Sequence, residues 1–120
     1  MDERIVLKEL QDAIDTLRTL ALVALDMEES HPLALPEPPE SHRVAAYEQH
    51  MNAITQHVAE SHRPLLAKSL RDYRAGFPDR AGSYLFELVG KFLQDQEYAT
   101  AFSPTARRQL EEYLTALSEL

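Results

Sequence analysis

Val6, Leu10, Ala13, Leu17, Leu20, Ala24 and Met27 follow one another at spacings that alternate between four and three residues. That is the recurrence of one apolar stripe along an α-helix. Ile14, Ala21 and Leu25 broaden the stripe, and Leu22 and Val23 carry it almost round the helix between Leu20 and Leu25. The spacing predicts a first helix from Asp2 or Glu3 to about Glu29, with acidic residues in its first turn to suit the helix dipole.

Residues 30–40 then contain Pro32, Pro36, Pro38 and Pro39. Proline removes a backbone donor and fixes φ, so this stretch predicts a stiff, extended connector, with Leu33 and Leu35 as anchors onto the rest of the chain. Helical spacing resumes with Val44, Tyr47, Met51, Ile54 and Val58, which predicts a second helix over Ser41–Ser61. Pro64 ends it or bends the chain into a short third helix, expected over Pro64–Ala75 and bearing Leu65, Leu66, Leu70 and Tyr73.

Gly76-Phe77-Pro78-Asp79 reads as a turn, with Asp79 as the cap of a fourth helix. That helix carries Ala81, Leu85, Leu88, Val89 and Phe92, together with Tyr84, Phe86 and Leu93. Ser103-Pro104 is the sharpest boundary, a capping hydroxyl followed by proline at the first helical position. Behind it Ala106, Leu110, Tyr113, Leu114, Leu117 and Leu120 mark a fifth helix. The expected fold is all-α: a single domain over residues 1–120, built as an antiparallel bundle of four long helices and one short helix.

At 100° per residue the apolar side chains of the fourth helix span about half its circumference, and the first helix is as broad near Leu20–Leu25. Two readings account for such arcs. Both helices are central within one chain, or part of the apolar surface is an interface. The second reading predicts a homodimer with Phe86 or Leu93 at or near the contact.

Composition narrows the chemistry. The chain of 120 residues has no cysteine, which excludes disulfides, thiolate catalysis, zinc–thiolate sites and iron–sulfur clusters. The charged start Met1-Asp2-Glu3-Arg4 is unlike a signal peptide. The longest apolar run, the six residues Leu20 to Leu25, falls far short of the roughly 20 that span a bilayer. A cytoplasmic protein without membrane contact is expected. Net charge is −8, and the one basic stretch holds Arg63, Lys68, Arg71, Arg74 and Arg80 against Asp72 and Asp79. Such an acidic chain is repelled by phosphate backbones, so nucleic acid is not an expected partner. Lys68, Arg71 and Arg74 recur every third residue on the third helix and suit docking to an acidic protein.

Five histidines are the remaining candidates for chemistry. His50 and His57 flank the same stripe, but seven residues of helix rise about 10.5 Å, too far to share an ion. No two histidines have the spacing of three or four that chelates from one helix face. His57 and Glu60 do have it, so His50, His57 and Glu60 form the candidate set for a metal- or small-ligand-binding alternative. The triplet Glu-Ser-His recurs at 29–31, 40–42 and 60–62 and reads as helix-termination chemistry. Phosphorelay through a single histidine lacks the expected neighbouring lysine. Gly76, Gly82 and Gly90 are isolated and form no phosphate loop, and no Gly-x-Ser-x-Gly elbow is present. No enzyme activity, cofactor or resident metal is expected. What remains is a self-associating protein–protein interaction module, such as an adaptor, inhibitor, immunity protein or assembly factor.

Overall fold

Helix α1 (Glu3–Ser30) buries Val6, Leu10, Ala13, Ile14, Leu17 and Leu20, the stripe read from the sequence. The structure is a computed structural model that describes the backbone of residues 1–30 and 38–120 and the side chains of 1–26 and 38–120. The expected proline-rich connector falls largely outside the described residues. Among those described there are helices and no strand. Asp2 starts α1 by accepting the Arg4 amide on Oδ1 at 3.0 Å, which satisfies one of the donors that a helix start leaves unpaired.

Helix α2 (Ser41–Thr55) is shorter than its apolar pattern predicts. The helical register is lost where tertiary bonding takes over. The Ala59 amide donates to Tyr98 Oη at 3.0 Å, and Ala59 itself is extended. Val58 still enters the core at 4% exposure. The apolar period therefore continues past the helix that produced it. A 3-10 turn, Glu60–His62, leads into α3 (Arg63–Arg74), whose first turn contains Pro64.

The α3–α4 corner is a Schellman turn. The Gly76 amide donates to the Tyr73 carbonyl and the Phe77 amide to the Asp72 carbonyl, both at 3.0 Å. Gly76 has φ 87°, the left-handed conformation that only glycine adopts without steric cost. Helix α4 (Pro78–Gln94) starts two residues earlier than its sequence signal. Phe77 holds the cap position, Pro78 opens the helix, and Asp79 lies in the first turn. A second 3-10 turn, Gln96–Tyr98, precedes α5 (Pro104–Ser118). Ser103 caps α5 as expected, its Oγ accepting the Ala106 amide at 3.2 Å.

The five helices pack compactly. Helix α4 touches α1, α3 and α5, and α1 also packs on α2 and α5. The broad apolar arc of α4 is thereby covered within the chain, leaving Phe86 as its one large exposed apolar side chain among the described residues. One polar junction crosses this core. Ser69 donates to the Ala81 carbonyl at 2.8 Å, so the Tyr47 hydroxyl, 2.6 Å from Ser69 Oγ, must be the donor of that second bond. Tyr47 also stacks on Tyr73 with ring centroids 4.2 Å apart.

The two ends of the chain are joined as well. The Ser103 amide donates to Glu3 Oε2 at 2.8 Å, and the Tyr113 hydroxyl to the Leu7 carbonyl at 2.9 Å. Helix α1 is the longest of the described helices. Its 28 residues give a rod of about 42 Å, in a molecule measuring 48 × 23 × 20 Å. Beyond Leu20 none of its described side chains is buried, and Leu22, Val23 and Leu25 are 66%, 48% and 51% exposed. No described helix is long and apolar enough to cross a membrane.

Candidate functional site

Among the described residues, two groups of imidazole and carboxylate atoms converge: Glu9 with Asp12 and His50, and His62 with Asp95 and Glu97. They differ in construction.

His62 ends the 3-10 turn before α3 and is 8% exposed. Its Nδ1 lies 2.8 Å from Tyr98 Oη, the same oxygen that accepts the Ala59 amide. Tyr98 is positioned by the edge of Phe92, whose ring centroid is 4.9 Å away and which packs in turn on Phe102. Burial pushes the Tyr98 phenol above its ordinary pKa; the Ala59 amide pulls the other way, and Glu97 and Asp95 add to the rise. Tyr98 is therefore a neutral hydroxyl at physiological pH. On the far side of the imidazole, Nε2 stands 3.5 Å from Asp95 Oδ2 and 3.5 Å from Glu97 Oε1. Asp95 is in extended backbone at the end of α4, and Glu97 follows in the 3-10 turn. The segment between α4 and α5 thus delivers two partly exposed carboxylates to one buried ring.

His50 is held differently. Its Nδ1 is 2.6 Å from Glu9 Oε2, a direct hydrogen bond linking α2 to α1. Asp12, nearby, is engaged by Lys8 at 3.4 Å. His57 lies past the end of α2 and Glu60 is exposed in the 3-10 turn, and neither joins either group. The His50, His57 and Glu60 set is not brought together. His50 and His62 find their carboxylates on distant segments, whereas the exposed His42 pairs with Glu40 two residues away, at 3.2 Å.

Lys68, Arg71 and Arg74 are all exposed on α3, as their spacing implies. Each has a local neighbour. Arg74 reaches Glu48 at 3.0 Å, Arg71 lies 3.4 Å from both Asp72 and the Tyr84 hydroxyl, and Lys68 Nζ sits 6.0 Å from the centre of the Tyr84 ring. Of the two apolar candidates, Phe86 is 42% exposed, whereas Leu93 packs against the core and its carbonyl accepts Arg107 at 2.6 Å.

The His62 group had only a weak signal in the sequence. Asp95-x-Glu97 stands in a short polar break between two apolar periods, but nothing local ties it to a histidine 33 residues earlier. Comparison with protein-family models, with curated proteins and with solved structures finds no match to this chain.

Proposed function

We propose that this chain is a non-catalytic, cytoplasmic protein–protein interaction module that self-associates through the exposed end of α1. The observation that carries the reading is the exposure of Leu22, Val23 and Leu25 on the stretch of α1 beyond Leu20, its last buried side chain among those described. Scattered apolar residues are ordinary on a surface, but a contiguous group on one helix is the mark of a contact face. Twofold pairing buries such a face against its own copy.

The domain is read as a single antiparallel bundle. In support, Arg74 at the end of α3 meets Glu48 in the first half of α2, while Arg63 at the start of α3 donates to the Val58 carbonyl just beyond α2. Lys68, Arg71 and Arg74 offer a separate, exposed face for an acidic protein partner. Net charge of −8 works against nucleic acid in that role.

Light scattering or sedimentation of the full chain tests the reading. The wild type is expected to be dimeric at micromolar concentration, and a Leu22→Glu/Leu25→Glu variant to be a folded monomer with unchanged circular dichroism. A wild type that stays monomeric at millimolar concentration overturns it.

A further inference from the structure

The geometry points to a site for a divalent transition metal ion of the zinc class, held by His62 Nε2, Asp95 Oδ2 and Glu97 Oε1. Zinc binds imidazole nitrogen and carboxylate oxygen at about 2.0–2.1 Å, and a tetrahedron of that size sets its ligand atoms about 3.3–3.4 Å apart. Nε2 lies 3.5 Å from each of the two carboxylate oxygens, and all three atoms are within 4.8 Å of one another. The two nitrogen–oxygen distances are close to the edge of a coordination tetrahedron and too long for direct hydrogen bonds.

The surroundings suit the same assignment. A metal-bound imidazole must be neutral at the coordinating nitrogen and is normally oriented by a bond from its other nitrogen. Nδ1 has that bond at 2.8 Å to Tyr98 Oη, whose oxygen also accepts the Ala59 amide. Coordination through Nε2 requires the imidazole proton on Nδ1, donated to Tyr98 Oη, in place of the metal-free arrangement in which the phenol can donate to Nδ1. The ring is buried while the two carboxylate side chains are 36% and 48% exposed. Three ligands therefore come from the protein, and the fourth position faces water.

The Glu9–Asp12–His50 group fails the same test. At 2.6 Å, His50 and Glu9 are hydrogen-bonded to each other and stand too close to share an ion, and Asp12 is taken by Lys8. Donor chemistry narrows the ion. One nitrogen and two oxygens favour zinc and its first-row neighbours, whereas magnesium and calcium prefer oxygen alone. Bound there, the ion would tie the entry of α3 to the junction of α4 with α5, joining segments remote in sequence. This site is independent of the exposed end of α1, and its failure would leave the self-association reading untouched.

Calorimetric titration of the metal-stripped full chain with zinc chloride, alongside thermal melts, is the test. One equivalent per chain, a raised melting temperature and no displacement by excess magnesium are expected. Asp95→Asn and Glu97→Gln remove half-exposed ligands and should keep the helical circular dichroism, each weakening zinc by about tenfold or more. His50→Gln should bind zinc like the wild type. Cobalt in place of zinc should give the intense visible absorption of a tetrahedral site. Absence of saturable zinc binding overturns the proposal. So does zinc binding that survives the Asp95→Asn/Glu97→Gln double variant, or that is lost in His50→Gln. His62→Ala should also abolish binding, and if that variant does not fold the carboxylate variants still decide the question.

Discussion

The hydroxyl of Tyr98 lies 2.8 Å from Nδ1 of His62, across 36 residues of sequence. It also accepts the Ala59 amide that α2 leaves unpaired at its end. One phenol oxygen thus serves two buried or half-buried groups, and removing it strands both. Tyr98→Phe keeps the ring packing against Phe92 but leaves those partners unsatisfied, and should destabilise the chain by about 1–3 kcal/mol in urea unfolding. The same variant should weaken zinc binding by loosening the imidazole. A loss below about 0.5 kcal/mol would show that the two bonds contribute little.

The stacked pair Tyr47 and Tyr73 should respond oppositely to the same substitution. Tyr47 donates to Ser69, whereas the buried Tyr73 hydroxyl has no hydrogen-bond partner among the described residues. Tyr47→Phe should lower stability by about 1 kcal/mol, the net worth of a typical hydrogen bond. Tyr73→Phe removes an unsatisfied polar group and should leave stability unchanged or raise it by up to about 1 kcal/mol. Denaturant midpoints measured under one condition will separate them, and equal losses would refute the distinction.

Two glycines should also diverge. Gly76 stands at φ 87° in the α3–α4 corner, where a side chain is strained, and Gly76→Ala should cost about 1 kcal/mol. Gly90 is inside α4, and a methyl group there would meet nothing within 4 Å. Gly90→Ala should therefore raise stability by about 0.5–1 kcal/mol through the better helix propensity of alanine. Thermal melts read both signs directly, and a destabilised Gly90→Ala would mean that the position is crowded.

Alkaline conditions should unfold the protein. Burial is the leading cause that raises the phenol pKa values of Tyr47, Tyr73, Tyr98 and Tyr113 above their ordinary value near 10. The unfolded chain therefore gives up these protons first. Stability is fully present below about pH 10 and falls as pH rises beyond it, by up to about 1.4 kcal/mol per pH unit for each phenol that ionises only on unfolding. Melting temperatures that stay level from pH 9 to pH 11 would contradict this.

The helices were legible because their cores repeat with the helical period. Val6 to Leu20 and Ala81 to Phe92 are buried on the faces that their spacing marks. The end of α2 was not legible, since Val58 keeps the phase although the backbone has already left the helix for Tyr98. Asp79 is a better cap by residue type than Phe77, but the Schellman turn and Pro78 set the start of α4 two residues before the one its sequence marks. The breadth of α4 proved to be a matter of having three neighbouring helices, while that of α1 at Leu22–Leu25 stayed uncovered among the described residues. The imidazole–carboxylate groups left little trace in the sequence. His50 with Glu9 and His62 with Asp95 are pairings between segments, and local spacing carries no information on which segments meet.

The bonds that stitch α1 to the far end of the chain bear on the order in which the molecule assembles. Ser103 with Glu3 and Tyr113 with Leu7 close loops of 100 and 106 residues, whereas Ser69 with Ala81 closes one of 12. Chain entropy opposes the long loops more than the short one, though only logarithmically. The α3–α4 corner is therefore the natural nucleus, and the seam between the first and last helices is the closing step of the folding reaction. Substitutions at Ser69 should then slow folding, while those at Tyr113 should chiefly hasten unfolding.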